Sequence, residues 1–252
     1  LLGLAGGGAL IAWLLYQSSF LAVSAITVDG QYRSEAATII TAQGVAPGMP
    51  TVNVPADELE AALLTDPWVA AVDVTVRWPG TVEVTLVEHI PSAWVQIGDQ
   101  WALAARGGAV LEMAAEIPQE APRIDVGVTA AMPGDAVDSL AAVGALEFID
   151  ALPAARVPNV IGEGDDTGLR GVVAGFAVDF GYPSDMTAKA AAIVALLDAG
   201  EITPGSVISV VSPDRPAVLP PAPLTPIDGT ENEAGAGEAA ADDDAANAEL
   251  DN

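Results

Sequence analysis

The sequence predicts an α+β protein in which a single membrane-spanning helix precedes two folded parts. Three observations support this class. Residues 1–28 carry no charged side chain, and residues 71–88 alternate apolar and polar side chains as a half-buried strand pair does. Helix-like and strand-like segments are mixed along the rest of the chain. We expect a strand–helix–helix–strand–strand module, then a mixed α/β domain with an extended antiparallel sheet.

The uncharged N-terminal segment predicts a membrane helix at residues 1–19, truncated on its N-terminal side. Most of its residues are Leu, Ala, Gly and Ile. Trp13 and Tyr16 lie near its end, where aromatic side chains favour the membrane–water interface. The apolar core of a signal peptide is the competing interpretation, but this run is long and carries no basic segment.

The first folded part is expected at residues 20–91. Residues 25–29 alternate as a short strand. Ser34 is expected to cap the helix that follows, because its side chain can accept a hydrogen bond from the first helical turn. Pro55 opens a second helix, since its fixed φ suits the first turn and acidic residues follow it beside the positive helix end.

The strongest local pattern is a predicted hairpin at residues 71–88. Its two apolar faces are formed by Val72, Val74, Val76, Trp78, Val82, Val84 and Leu86. Pro79 and Gly80 between the strands predict a type II turn, in which Pro presets the first central residue and Gly takes the positive φ of the second.

The second folded part is expected at residues 92–218. Its predicted strands are residues 93–97, 101–104, 110–113, 171–174, 177–180 and 207–211. Helices are predicted at residues 135–152 and 185–199, the latter capped by Ser184 and ended by Gly200. From residue 219 to residue 252 the chain is Pro-rich and then acidic, and such a segment buries too little apolar area to offset its ordering entropy. We expect it to be disordered.

Charge and composition exclude several classes of function. The formal net charge is −27, from 35 acidic and 8 basic residues, so no basic patch for nucleic acid can form. The chain has no cysteine, which removes disulfides, thiolate nucleophiles and thiolate metal sites. The acid excess indicates a solubilising surface or an adaptation to salt.

Residues that could support catalysis or metal binding are sparse. His89 is the only histidine, and we expect it at the surface rather than in a catalytic site. Asp165-Asp166 and Asp242-Asp243-Asp244 lack the spacing of a calcium loop and are interpreted as solvated charge runs. A carboxylate pair for glycoside hydrolysis remains a minor hypothesis, because nothing in the sequence places two acids in one cleft. We therefore predict no enzyme activity, no catalytic residue, no cofactor and no metal.

Several motifs occur in a recognisable order. They are FLAVSAITVDG at residues 20–30, DPWV at 66–69, RWPGT at 77–81, EHIPSA at 88–93, WALAARGGAV at 101–110, and VISVVSP at 207–213 with Lys189 and Pro216. In this order the chain resembles a POTRA module followed by the second domain of the FtsQ/DivIB division proteins, over residues 1 to about 219. Two positions depart from the family pattern. His89 stands where the family commonly has a basic residue such as Arg, and Ala104-Ala105 stands where the family usually has a Val-Asp-like pair.

The resemblance implies a non-enzymatic divisome scaffold in the plasma membrane at the division septum. It implies single-pass type II topology with the C-terminal part outside the cytoplasm. The implied partners are FtsB- and FtsL-like division proteins, and with them the septal peptidoglycan synthesis enzymes. A POTRA-bearing outer-membrane assembly or secretion protein is the alternative, although such proteins usually continue into many alternating strands. A secreted hydrolase that uses acids alone is a third class.

The candidate partner-binding site is the final predicted strand. It comprises Val207, Ile208, Ser209, Val210, Val211 and Ser212, with Arg215 beyond it. We expect this strand to lie at a sheet edge, where its unpaired backbone groups could accept a strand from a partner. The alternative is that the strand belongs to the core and that its edge is covered.

Overall fold

The computed structural model describes residues 21–128, 130–156, 161–200 and 202–221. Within these ranges no helix has both the length and the apolar character needed to cross a bilayer. The membrane helix predicted at residues 1–19 lies outside the described residues. The same is true of the acidic tail beyond residue 221.

The first part of the chain forms a three-stranded sheet covered by two helices. Its elements are β1 (Ala25–Asp29), α1 (Ala36–Ala42), α2 (Ala56–Leu63), β2 (Val69–Arg77) and β3 (Thr81–Glu88). Across the sheet the order is β1-β3-β2, with β1 parallel and β2 antiparallel to β3. The predicted order of strands and helices is therefore confirmed in this part.

Apolar side chains of this sheet face the helices and form one core. Val74, Val82 and Val84 are buried together with Leu59 and Leu63 of α2. The valines alternate with polar residues because side chains of a strand point to opposite faces in turn. The helix pair thus covers one face of the sheet and leaves the polar face in solvent.

The turn between β2 and β3 differs from the predicted type II turn. The Trp78–Pro79 peptide is cis, and Gly80 does not have a positive φ. Gly80 is required here for another reason, because a Cβ at this position would lie 2.3 Å from the carbonyl oxygen of Ala22. The backbone N–H of Ser24 donates to the Gly80 carbonyl at 2.7 Å, so the two segments are in close contact.

Both predicted serine caps are wrong. The N-cap of α1 is Glu35, and the hydroxyl of buried Ser34 donates instead to the Glu88 carboxylate. The helix after Ser184 has Asp185 as its N-cap, in the left-handed conformation, without a side-chain cap bond. In both cases the serine lies one residue before the N-cap and two residues before the first residue of the helix, so it does not occupy the capping position.

The second part of the chain forms a nine-stranded sheet with two helices. The strands are β4 (Pro91–Ile97), β5 (Gln100–Ala105), β6 (Val110–Ala114), β7 (Arg123–Val128), β8 (Ile161–Asp165), β9 (Gly168–Val173), β10 (Phe176–Gly181), β11 (Val207–Ser209) and β12 (Ala217–Leu219). The helices are α3 (Leu140–Ala151) and α4 (Met186–Ala199). The strand order is β12-β11-β10-β9-β8-β7-β4-β5-β6.

The extended sheet is mixed rather than antiparallel, which corrects the predicted arrangement. The pairs β4–β7, β7–β8 and β10–β11 are parallel. Two of these pairs follow from the helices, because α3 connects β7 to β8 and α4 connects β10 to β11. Parallel neighbours need such a crossover connection. The pattern analysis did not predict β7 and β8 and therefore did not predict the first crossover.

The core of the second part lies between this sheet and the two helices. Phe148 of α3 and Phe180 of β10 meet edge to face, with ring centroids 4.6 Å apart. Ile193 of α4 and Ile124 of β7 are fully buried in the same cluster. This packing fixes α4, and with it the connection that leads into β11.

Candidate functional site

The predicted edge strand is not at the edge of the sheet. In β11, Val207, Ile208 and Ser209 pair in parallel with β10 on one side. On the other side the same three residues pair antiparallel with β12, which is the terminal strand of the sheet order. The expectation that residues 207–212 form an open edge strand is therefore not met in β11, which covers residues 207–209, and this edge of the sheet lies one strand further along the chain.

The ladder geometry shows which backbone groups of β12 are open. The N–H of Val210 donates to the Asp179 carbonyl at 2.9 Å, so it points towards β10. Backbone groups alternate sides along a strand, so those of Val207 and Ser209 point towards β12. Their antiparallel partners, Leu219 and Ala217, bond back to β11. Val218 therefore directs its N–H and C=O outward.

The predicted site residues are divided between the core and the surface. Ile208 and Val210 are fully buried, and Val207 and Ser209 are half-buried. Val211, Ser212 and Arg215 are exposed, with Val211 at 55% of its full surface. The first four residues can only support the edge, whereas the last three are accessible to another chain.

The edge strand that the sequence analysis missed is short and apolar. All three residues of Ala217–Leu219 are exposed, with Val218 at 40% and Leu219 at 51%. Pro216 and Pro220 flank it, and proline cannot donate a ladder hydrogen bond. The signal in the sequence was this apolar triplet between prolines, which the predicted boundary at residue 218 divides between the second folded part and the tail.

A buried lysine holds the backbone at the end of β10. Lys189 of α4, the only lysine in the sequence, is 2% exposed, and its Nζ donates to the Tyr182 carbonyl at 2.6 Å. Burial lowers the pKa of this amine, while the negative charges of Asp185 and Asp179 oppose that change. Val211 lies against Gly181, whose added Cβ would be 3.0 Å from a Val211 methyl. The amine thus fixes the loop that borders the exposed part of the candidate site.

The acidic pair that could have suggested calcium has other partners. The Asp165 carboxylate accepts from the hydroxyl and N–H of Thr167 and from the N–H of Gly168. These hydrogen bonds, the Thr167 hydroxyl first, lower the pKa of Asp165. Asp166 accepts from the Ala141 N–H at the beginning of α3. The two carboxylates stabilise a turn and a helix terminus.

Within the part of the chain that the structure describes, no group of three or more His, Asp or Glu side chains could hold a metal ion. His89 is half-buried, and its backbone N–H donates to the Trp68 carbonyl at 2.9 Å. The run Asp242-Asp243-Asp244 lies outside the described residues. The exposed backbone and apolar side chains at β12 are accessible to another chain.

Comparisons with known proteins agree with this architecture. A family model described as POTRA domain, FtsQ-type, matches residues 21–89. A cell division protein FtsQ of Streptomyces collinus is 30% identical over 208 residues, which are 78% of this chain and 76% of that protein. The FtsQ of Mycolicibacterium smegmatis is 28% identical over 208 residues, 81% of this chain and 59% of that protein. The FtsQ of Myxococcus fulvus is 30% identical over 102 residues, 40% of this chain and 36% of that protein.

The order of strands and helices, the long sheet and the matched module define a POTRA-containing α+β protein. The likeness to the Streptomyces collinus protein covers 78% of this chain and so extends well beyond that module. The chain belongs to the FtsQ family of cell division proteins.

Proposed function

We propose that this protein is a non-enzymatic scaffold of the division machinery that binds other division proteins by strand addition at β12. The single observation that carries the proposal is that Val218 lies at the terminal strand of a nine-stranded sheet with its backbone groups facing outward. An extended segment of a partner would gain main-chain hydrogen bonds there, and side-chain contacts would supply specificity.

The partner surface includes three of the residues expected from the sequence. Val211, Ser212 and Arg215 are exposed beside the end of β11 and supply one apolar, one hydroxyl and one cationic side chain. Val207, Ile208, Ser209 and Val210 contribute indirectly, since they hold β12 on the sheet. The Arg215 guanidinium is a local cationic group that could pair with an acidic side chain of the partner segment, in a chain whose net charge is −27.

The partners proposed from family membership are FtsB- and FtsL-like division proteins, and through them the enzymes of septal peptidoglycan synthesis. The proposed location is the plasma membrane at the septum, with residues 1–19 as a single-pass anchor and the remainder outside the cytoplasm. The domains proposed from the sequence are residues 20–91 and 92–218, with residues 219–252 as a tail, but Leu219 pairs with Val207 in β12, so the tail begins after that strand. The separate sheets on either side of the connection from Glu88 to Pro91 support a division near this point.

The test is Val218→Pro, with Val218→Thr as the matched control. Proline at 218 removes the outward N–H but no hydrogen bond between β11 and β12, and such positions tolerate proline. Threonine keeps the N–H and the shape of valine. Full-length chains would be recovered from crosslinked cells and the captured division proteins quantified. We expect Val218→Pro to reduce capture at least about tenfold and Val218→Thr to leave it unchanged.

If Val218→Pro captured as much of the division proteins as the wild type does, strand addition at β12 would be contradicted. The proposed location has its own test, a fluorescent fusion to the full chain. A band at the division site supports the septal location, and uniform labelling of the envelope contradicts it.

A further inference from the structure

A groove of about 410 Å³ lies where the first sheet meets the beginning of the second. Its walls come from the loop after β1, the end of β3 and the connection at residues 89–91. Three large side chains with apolar surface are exposed along it, Tyr32 at 88%, Val87 at 57% and Ile90 at 57%. Exposed apolar side chains that cluster at a groove mark a binding surface, whereas singly scattered ones do not.

Trp68 forms a fixed part of the wall of this groove. The Arg33 guanidinium lies 4.8 Å from the centroid of its ring, in a cation–π contact. The Trp68 side chain is half-buried and packs against buried residues of the second sheet, which are Leu103, Ala105 and Leu111. The wall is therefore preformed, and a ligand would not have to order it on binding.

Arg33 supplies a positive charge that no acid in the described part of the chain pairs with directly. Three other arginines, by contrast, each form an ion pair with a carboxylate. A guanidinium that lies over an aromatic ring can still donate from its N–H groups, and its planar fork matches a carboxylate in two parallel hydrogen bonds. A ligand carboxylate therefore has an available partner at the margin of the groove.

Two acids that share a surface depression with Arg33 are already bonded to backbone donors. The Glu88 carboxylate accepts from the backbone N–H groups of residues 32–34. The Asp66 carboxylate accepts from the N–H groups of Glu35 and Trp68. These hydrogen bonds hold the two carboxylates on the backbone, so neither is directed at the Arg33 guanidinium.

We propose that this groove is a docking site for an acidic peptide segment, whose apolar side chain contacts Tyr32, Val87 and Ile90 and whose neighbouring carboxylate binds Arg33. The apolar contacts supply affinity, and the ion pair supplies specificity. In a chain with a net charge of −27 an acidic segment is repelled by most of the surface, so the local cation determines where it binds. The site is separate from β12 and does not require strand addition.

The test uses two short fluorescent peptides with a central leucine–phenylalanine pair, flanked by glutamates in one peptide and by lysines in the other. Binding to the full chain would be measured by fluorescence anisotropy in about 0.15 M salt, where exposed charges more than about 8 Å apart are largely screened. We expect the glutamate peptide to bind about tenfold more tightly than the lysine peptide. The overall negative charge favours the lysine peptide, so the expected order requires a local cation.

Two pairs of variants separate the charge from the apolar contact. Arg33→Gln should bring the affinities of the two peptides within about threefold, whereas Arg215→Gln should keep the wild-type difference. Ile90→Ser should weaken both peptides about tenfold without changing their ratio, because it removes apolar surface alone. Val52→Ser is the matched control and should bind as the wild type does, since Val52 is 61% exposed and does not line the groove.

Other binding patterns would overturn the proposal. Binding of neither peptide by the wild type, or tighter binding of the lysine peptide, contradicts the preference for an acidic segment. If Arg215→Gln rather than Arg33→Gln abolishes the difference, the peptide binds beside β11 instead. Dimers of the wild type that sedimentation detects and Ile90→Ser abolishes would show that a second copy of the chain occupies the groove. Val218→Pro should bind both peptides as the wild type does, so a failure of strand addition at β12 would leave this test unaffected.

Discussion

The Glu88 carboxylate connects the end of β3 to the loop before α1, and replacing it should measurably destabilise the first sheet. Its Oε1 accepts from the N–H of Tyr32 at 2.8 Å, from the N–H of Ser34 at 2.8 Å and from the Ser34 hydroxyl at 2.7 Å. The Arg33 N–H lies 3.0 Å from both carboxylate oxygens. Glu88→Gln keeps the shape of the side chain but removes its charge.

The size of the effect follows from the pKa of this group. Partial burial raises the pKa, but the hydrogen bonds from Ser34, Tyr32 and Arg33 outweigh it and lower the pKa of Glu88 from 4.5 to about 2. At about 1.4 kcal/mol for each pKa unit this corresponds to about 3 kcal/mol of folding free energy. Solvent reaches the carboxylate, so we expect screening to leave about 1–2 kcal/mol.

The sign of the pH dependence is fixed by the direction of the change. Because the pKa of Glu88 is lower in the folded state than in the unfolded state, its contribution is complete above about pH 5 and is lost as the pH falls towards 2. Urea denaturation of the wild type and Glu88→Gln would be measured from pH 7 to pH 3. Tryptophan fluorescence would report unfolding; Trp68, one of the five tryptophans, lies in this region, with the Arg33 guanidinium 4.8 Å from its ring centroid.

We expect Glu88→Gln to be less stable than the wild type by about 1–2 kcal/mol at pH 7, with the difference shrinking below pH 5. Glu83→Gln is the matched control, because Glu83 lies on the same strand and forms only an exposed pair with Arg77. Removing the Glu83 charge should lower the free energy of unfolding by less than about 0.5 kcal/mol. Equal effects of the two variants at pH 7, or a Glu88 difference that persists unchanged at pH 3, would refute the reasoning.

Two further predictions concern close packing. Gly80→Ala places a Cβ 2.3 Å from the Ala22 carbonyl oxygen, so we expect a loss of about 1–3 kcal/mol in urea denaturation. Gly168→Ala, which meets no atom within 4 Å and has no positive φ, should change stability by less than about 1 kcal/mol and serves as its control. Lys189 should resist an amine-reactive reagent in the native protein and react fully in urea, as peptide mass spectrometry would show. Complete labelling of the native protein would contradict its burial.

The first sheet was predictable because its signals are local and repeated. The alternating valines of β2 and β3 specify both the strands and the face that each buries. The turn between these strands was not predictable, because Gly80 is required by its close approach to the Ala22 carbonyl oxygen, and Ala22 is distant in sequence. Glu88 was also missed as an anchor, since its partners, Tyr32 to Ser34, are more than fifty residues away.

The second sheet was predicted less completely, and the reason differs from strand to strand. In β7, Ile124, Val126 and Val128 are buried in alternation, a usable signal that was overlooked. In β8, two glycines leave little side-chain pattern. The location of the candidate site depends on whether the chain folds back after Ser212 to add β12. Local patterns do not encode that pairing.

The strand order of the long sheet has a consequence for protein synthesis. β12 is the last described strand to leave the ribosome, yet it forms the outermost position next to β11. A polypeptide that stops at Pro216 would contain every described strand except β12. In that product β11, which carries the buried residue Ile208, would be the edge strand of the sheet. Incomplete products would therefore lack the proposed docking strand, so under the proposed function newly made chains would bind partners only after almost all of the folded region has been translated.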